Sequence, residues 1–302
     1  MAFFNGKLSP LREANVNIAT HAFNYGTAVF EGLRGYWNGD SEELYIVQAG
    51  AHFARLHRSA RILRIDLPYS IDELVGHAVD MLRANQFRQD VYIRPLAYKS
   101  DPVIKVGLSG IAASFAMFAQ PLGDYIPTES GIAVSVSSWR RISDNMIPSR
   151  AKVSGAYVNA ALSSDQAKVD GYDEAIMLGE DGQVSEASSS NLFMIREGRL
   201  ITPPVTADIL EGITRQLVLE LAGEMDVPVQ VRAIDRTELY SADEMFLCGT
   251  GVQLAAVTSV DRRLVGSGQP GPITQTIQKR YSDLVHGRLP RYRHYLTPVY
   301  RP

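Results

Sequence analysis

The chain has 302 residues, 45% of them hydrophobic and 21% charged, enough apolar surface for a sizeable core and too little charge for a disordered chain. Thirty Lys and Arg oppose 33 Asp and Glu for a formal net charge of -3, which argues against a dedicated nucleic-acid binder, whose domains carry a basic excess. The single cysteine, Cys248, excludes an intramolecular disulfide, and no apolar run approaches the roughly 18 residues of a membrane span.

In chain order, residues 15–37 contain Asn24-Tyr25-Gly26 and then Val29-Phe30-Glu31-Gly32-Leu33-Arg34-Gly35-Tyr36, a turn leading into a strand. Residues 44–47 are expected to pair back as a hairpin across Asn38-Gly39-Asp40. The spacing of Phe53, Leu56, Ala60 and Leu63 predicts a helix over 51–65, along which Arg55, Arg58, Arg61 and Arg64 recur at every third position. Pro68 ends it, and Ser70 with Glu73 forms a capping box for a second helix running to Asn85. Residues 91–96 and 114–119 read as strands. The turn formers from Pro121 to Pro127 then break all periodicity. This divides the chain into a smaller first domain at 1–119, a linker and lid at 120–130, and a larger second domain at 131–302.

In the second half, Ile132, Val134 and Val136 alternate as a strand, and 154–169 reads as a helix. Strands follow at 174–178, 183–185 and 191–195, with Glu180-Asp181-Gly182 and Arg196-Glu197-Gly198 in the connections. Gly212-Ile213-Thr214 opens a helix bearing Leu217, Val218 and Leu221; Val227, Val229 and Val231 alternate as a strand. Residues 244–248 form a strand ending in Gly249-Thr250-Gly251, and Pro272 begins the last helix. Beyond Asp283 there is no carboxylate, while Arg288, Arg291, Arg293 and Arg301 remain, which reads as a solvated or subunit-packing extension.

Several motifs carry little. The Gly249-Thr250-Gly251 run lacks the third glycine of a dinucleotide fingerprint, with Leu254 in its place, and no phosphate-binding Walker loop is present. His52 and His57 are five apart, off the spacing of a helical metal pair, so no metal site is expected and packing roles are favoured. Cys248 reads as a buried small apolar residue. With no basic stretch followed by an apolar one at its start, the chain is expected to be cytoplasmic and bound to neither membrane nor nucleic acid.

A chemistry that needs an amine has six lysines to draw on, at 7, 99, 105, 152, 168 and 279. Lys152 stands just before a helix, with Tyr157 five residues on. Downstream come Gln183-Val184-Ser185-Glu186, then Leu210-Glu211-Gly212-Ile213-Thr214-Arg215, then Cys248-Gly249-Thr250-Gly251. Each segment alone is ordinary. In this order, and with Tyr25 to Arg34, Arg55 to Ala60, Tyr92-Ile93-Arg94-Pro95 and Gly271-Pro272-Ile273-Thr274, the chain resembles branched-chain amino acid aminotransferases of fold type IV over nearly its whole length. The resemblance implies a two-domain α/β architecture of the α+β type with pyridoxal 5'-phosphate at the domain interface.

It also implies roles. Transamination requires an amine that holds the cofactor aldehyde and later moves a proton; that amine is Lys152. A carboxylate beside the pyridine nitrogen favours its protonated form, and Glu186 matches. Tyr157 matches the phenol near the ring oxygen, and Leu210 the residue packed on the ring. Arg55, the N–H groups of Ile213 and Thr214 at a helix start, and the hydroxyls of Thr214 and Thr250 match the phosphate site. Tyr92, Arg94 and the backbone from Gly249 through Thr250 to Gly251 match the substrate carboxylate site, with Phe30 and Tyr125 lining the side-chain pocket. Tyr25 and Val106 match positions reaching the neighbouring subunit's site, so a homodimer or larger homo-oligomer is expected. Its substrates would be branched amino acids and 2-oxo acids, 2-oxoglutarate among them. D-amino acid aminotransferases, (R)-amine transaminases and aminodeoxychorismate lyases share the cofactor residues; Phe30-Glu31-Gly32 and Tyr92-Ile93-Arg94 favour the branched-chain branch. One departure stands out: Leu122 occupies a position where better-known bacterial members carry Trp, which implies a broader or shifted substrate range.

Overall fold

The computed structural model describes residues 1–123 and 130–301. They divide into two compact units: 1–123 with 151–155 and 283–301, and 130–150 with 156–282.

The first unit is built on an eight-stranded antiparallel sheet. Its main path runs Leu296–Pro298, Glu43–Val47, Leu33–Asn38, Val91–Lys99, Ala113–Pro121, Ala2–Phe4, Lys7–Ser9, and Ala28–Phe30 adds to Val91–Lys99. The expected hairpin is present, with Gly35 opposite Ile46 and Trp37 opposite Leu44. Helices Ala49–Ile62 and Ile71–Asn85 pack on one another through Phe53, Leu56, Ala60, Leu74, Ala78, Met81 and Leu82, all buried. The second helix starts where its sequence says it must. Ser70 Oγ accepts the Glu73 N–H, and the Glu73 carboxylate takes the Ser70 N–H at 2.7 Å.

Two segments expected in the second domain lie in the first unit. Val153 bridges antiparallel to Val29, Phe30 donates its N–H to the Lys152 carbonyl at 3.0 Å, and Gly155 donates to Gly26 at 3.2 Å. Gly26 has φ +67, and a Cβ there would lie 2.8 Å from the Gly155 Cα, so glycine is required for this approach. The basic tail is no solvated extension either. Leu296–Pro298 forms a strand on Glu43–Val47, and the buried Glu43 carboxylate accepts the N–H groups of Val299, Tyr300 and Arg301 at 2.8–2.9 Å. A buried carboxylate must find donors, and the tail's backbone supplies them.

The second unit holds a nine-stranded mixed sheet. Its main path runs Val184–Ala187, Glu174–Leu178, Ile132–Arg140, Gln253–Val260, Glu244–Gly249, Asn191–Arg196, Arg199–Thr202, Val229–Val231, with Arg263–Leu264 added to Gln253–Val260. Ile132, Val134, Ile176, Leu192, Met194, Leu247, Ala255 and Val257 form much of its buried core. Positive φ at Glu197 and Gly198 makes the tight turn between Asn191–Arg196 and Arg199–Thr202. Helix Tyr157–Val169 follows one 3-10 turn at Ser154–Ala156, where the sequence suggested a single helix. Helix Ile213–Glu224 comes after Gly212. Helix Pro272–Val285 is capped from a distance, since the buried Glu244 carboxylate accepts the N–H groups of Ile273 and Thr274. The alternating valines at 229 and 231 do not face a core; they are 38% and 51% exposed on an edge strand. Among the described residues, no helix is long and apolar enough to cross a membrane.

Candidate active site

Each unit gathers part of the expected constellation. In the first, Lys152 is fixed through its backbone: its carbonyl accepts from Phe30 and its N–H donates to Ser59 Oγ at 3.2 Å. Its Nζ lies 4.9 Å from the centroid of the Phe30 ring. The Arg94 guanidinium stands 4.3 Å from the same centroid and donates to the Tyr92 hydroxyl at 3.1 Å. Arg94 Nε is buried and has no hydrogen-bond partner among the described residues. Tyr92 reaches this place because Gly32 has no side chain; a Cβ there would lie 2.0 Å from the Tyr92 hydroxyl. Phe30, Tyr92, Arg94 and Lys152 are thus brought together.

Arg55 is the only buried member of the arginines at 55, 58, 61 and 64. It faces Glu31, whose Oε1 accepts from Nε at 2.6 Å and whose Oε2 accepts from Nη2 at 2.8 Å. His52, one turn earlier on the same helix, donates from Nδ1 to Oε2 at 2.8 Å. Burial opposes the Glu31 charge, but Arg55 and His52 outweigh it and hold the carboxyl well below its ordinary range. Burial pushes the His52 imidazole below its ordinary value, with Arg55 and Lys152 adding to the effect against the pull of Glu31. Neither Glu31 nor the role of His52 was foreseen beyond a motif match and a packing position. The only signal was a carboxylate between two apolar runs, at the junction of Ala28–Phe30 and Leu33–Asn38.

Tyr25 and Val106 lie at the surface of this unit, 37% and 80% exposed. His21 links their surroundings, with its ring 4.7 Å from that of Tyr25 and its Nε2 on the Lys105 carbonyl.

In the second unit, Glu186 is the hub. Its carboxylate pairs with Arg141 Nη2 at 2.7 Å and accepts from Asn191 Nδ2 at 2.8 Å and from the Leu210 N–H at 3.2 Å. Asn191 also donates to the Leu210 carbonyl, so Leu210 is fixed against Glu186 twice over. Gly212 is required here too, because a Cβ would lie 1.9 Å from Asn191 Oδ1. The helix that follows has no side-chain cap at Gly212, so the first-turn N–H groups of Ile213 and Thr214 begin an uncapped positive dipole end. Thr214 is buried. Gly249 closes its strand where a Cβ would lie 3.5 Å from Ser190 Cβ, with Thr250 and Gly251 half-buried after it. Tyr157 opens helix Tyr157–Val169. Arg141 and Asn191 escaped sequence reading because nothing local marks them. Tyr125 and most of the lid, residues 124–129, fall outside the described residues. Cys248 is fully buried, and burial pushes its thiol far up, which suits a packing role.

Residues 28–260 match the family model for class IV amino-transferases. A probable branched-chain-amino-acid aminotransferase of Aquifex aeolicus is 48% identical over 300 residues, covering 99% of this chain and 96% of that protein. A branched-chain aminotransferase of Thermoproteus uzoniensis, solved with norvaline, is 43% identical with a TM-score of 0.95 and 99% of each chain covered. The branched-chain amino acid aminotransferase of Thermobaculum terrenum, solved in its pyridoxal-phosphate form, is 38% identical with a TM-score of 0.95, covering 99% of this chain and 98% of that one.

Proposed function

The chain belongs to the class IV aminotransferases, and from that premise we propose that it moves the amino group of L-leucine, L-isoleucine or L-valine to 2-oxoglutarate in a ping-pong cycle with pyridoxal 5'-phosphate as cofactor. The observation that carries the reading is the grouping of the Lys152 amine, the Phe30 ring and the Arg94–Tyr92 pair, with an unpartnered buried donor on Arg94. The residues fit the cofactor. In the second unit a phosphate suits the uncapped helix start at Ile213 and Thr214 with the Thr250 hydroxyl, and in the first unit Arg55 offers a buried guanidinium. A protonated pyridine nitrogen suits the buried Glu186 carboxylate, and Leu210 suits the ring face.

When bound, pyridoxal phosphate supplies an electron sink for the pair left as the substrate's α-proton departs. Lys152 takes that proton from the α-carbon and returns one in the second half of the cycle. Glu186, steadied by Arg141 and Asn191, holds the proton at the pyridine nitrogen, and the Tyr157 hydroxyl donates toward the ring oxygen. Tyr92 and Arg94 in the first unit hold the substrate carboxylate, a role that the backbone N–H groups from Gly249 to Gly251 also suit within the second. Phe30 gives the side chain an apolar wall.

We assign a cytoplasmic homodimer or larger homo-oligomer. Ile18, Phe23, Ile104 and Val106 are 71–81% exposed in the first unit, large apolar side chains of the kind a subunit contact would cover. Tyr25 and Val106 would then serve the partner's site.

The test is the visible spectrum of the holoenzyme before and after L-leucine, D-alanine and (R)-1-phenylethylamine, added separately. Bleaching of the cofactor band by L-leucine alone, and no band in Lys152→Ala, is the expected result. Bleaching by D-alanine or the amine instead moves the chain to another branch of the family.

A further inference from the structure

We propose that Glu31 is a positioning residue for the cofactor phosphate, acting through Arg55; the inference rests on the pyridoxal-phosphate reading above. Glu31 stands between Phe30 and Gly32, the residues that set the Lys152, Arg94 and Tyr92 side chains, and its own side chain is fully buried. Its backbone N–H donates to Pro95 at 3.0 Å, which ties it to strand Val91–Lys99.

The carboxylate lies along one edge of the Arg55 guanidinium, taking Nε at 2.6 Å and Nη2 at 2.8 Å. A guanidinium carries five N–H donors in one rigid plane. Fixing the Nε–Nη2 edge fixes that plane, and with it the directions of the remaining N–H donors. A long flexible side chain thereby becomes an oriented donor. The buried ion pair also leaves Arg55 with little net charge to offer, so its grip on phosphate depends on aimed hydrogen bonds more than on long-range attraction.

The same carboxylate sets the helix that carries Arg55. His52, Arg55 and Ser59 lie on one face of Ala49–Ile62, at spacings of three and four. His52 donates to Glu31 Oε2, Arg55 forks onto both oxygens, and Ser59 Oγ accepts the Lys152 N–H. His52 stays neutral because burial, Arg55 and Lys152 disfavour its charge, so it acts as a single Nδ1–H donor and adds no charge near the phosphate. One face of one helix therefore links the phosphate arginine to the backbone of the catalytic lysine, with Glu31 as the fastening point.

The experiment compares binding of pyridoxal 5'-phosphate and of unphosphorylated pyridoxal to the apoenzyme, followed by absorbance and fluorescence titration. The proteins are wild type, Glu31→Gln, Glu31→Asp, Arg55→Met and the Glu31→Gln/Arg55→Met double variant. Glu31→Gln should weaken pyridoxal phosphate binding about ten- to hundred-fold, the range of a charge-assisted hydrogen bond, and change pyridoxal binding only slightly. Glu31→Asp should lose the same preference to a smaller degree. In the double variant, Glu31→Gln should cost no further phosphate preference beyond Arg55→Met. Equal weakening of both ligands, or of neither, overturns the proposal, since a residue that merely supports the fold has no means to tell the two apart. If Glu31→Gln does not fold, Glu31→Asp decides by the same criterion. A wild-type protein with no preference for the phosphorylated ligand overturns the cofactor reading itself.

Discussion

Glu31 in the first unit and Glu186 in the second are both buried carboxylates facing an arginine, yet they are held in different ways. Glu31 receives a two-point fork from Arg55 and the imidazole of His52, all from one helix face. Glu186 receives one terminal nitrogen of Arg141, the Asn191 amide and the Leu210 backbone N–H, which come from three separate segments. The first arrangement joins a helix to the link between strands Ala28–Phe30 and Leu33–Asn38 and is closed by charge. The second steadies a carboxylate from several sides with mostly neutral donors, which suits a group meant to meet a cation. A buried charge is a joint where its partners are side chains of one element, and a tool where backbone and amides do the holding.

The sharpest way to break the contrast is to delete each carboxylate. Glu31→Ala leaves Arg55 and His52 buried without their partner, and should destabilise the protein by about 3–5 kcal/mol, read as a fall in melting temperature of the apoenzyme. Glu186→Gln keeps the shape and an acceptor while losing the charge. Its kcat should fall by roughly a hundred-fold, the scale of losing one well-placed electrostatic group. Its melting temperature should fall less than that of Glu31→Ala. If Glu186→Gln proves the less stable and the more active of the two, the division into joint and tool is wrong.

Local signals made the helices and most strands readable. The Ser70–Glu73 box, the Phe53–Leu56–Ala60 stripe and the uncapped Gly212-Ile213-Thr214 start all lie within a few residues of the structure they specify. What stayed hidden depends on distant partners. The tail at 296–301 is ordered by Glu43, and the two groups that meet, Val299 and Glu43, are 256 residues apart in sequence. The return of residues 151–155 to the first unit depends on Gly26 and Gly155 fitting backbone to backbone. Val229 and Val231 alternate as a strand should, but alternation does not say whether a neighbouring layer covers the face. In the candidate site, motif-bearing residues such as Lys152 and Glu186 can be named from the sequence, whereas Arg141, Asn191 and His52 cannot, because each is marked only by the hydrogen bond or ion pair it makes to another residue.

Acid sharpens the contrast from the side of Glu31. His52 is buried with its pKa below the ordinary 6.5, so below that pH the unfolded chain binds a proton that the folded chain refuses. Stability from keeping His52 neutral is therefore full above pH 6.5 and is lost as pH falls, at up to about 1.4 kcal/mol per pH unit for one proton. Glu31, whose folded pKa is depressed, adds a second loss below its ordinary 4.5. His52→Asn offers a donor in place of Nδ1 and does not titrate. Its melting-temperature deficit relative to wild type should narrow between pH 6.5 and pH 5. A deficit that stays constant over that window would show that His52 takes up its proton without penalty, and that the joint tolerates a charge.

The smallest expected effect concerns neither carboxylate but the border of the first unit. Leu122 is pinned by its backbone, since its N–H donates to Asp90 at 3.1 Å and its carbonyl accepts from the buried Arg34 at 2.7 Å. Because the backbone is held independently of the side chain, Leu122→Trp changes the size of the group presented there without moving the chain that presents it. If that side chain borders the space available to the substrate, an indole narrows it, and larger amino acids lose more than smaller ones. The ratio of kcat/KM for L-leucine over that for L-phenylalanine should then rise about ten-fold in Leu122→Trp, the low end of what a single change of apolar pocket size commands. The carboxylate chemistry is common to both substrates and cancels in the ratio, so the measurement isolates the wall from the machinery. An unchanged ratio would mean that residue 122 plays no part in selecting the substrate, and that the departure from Trp at this position is neutral for specificity.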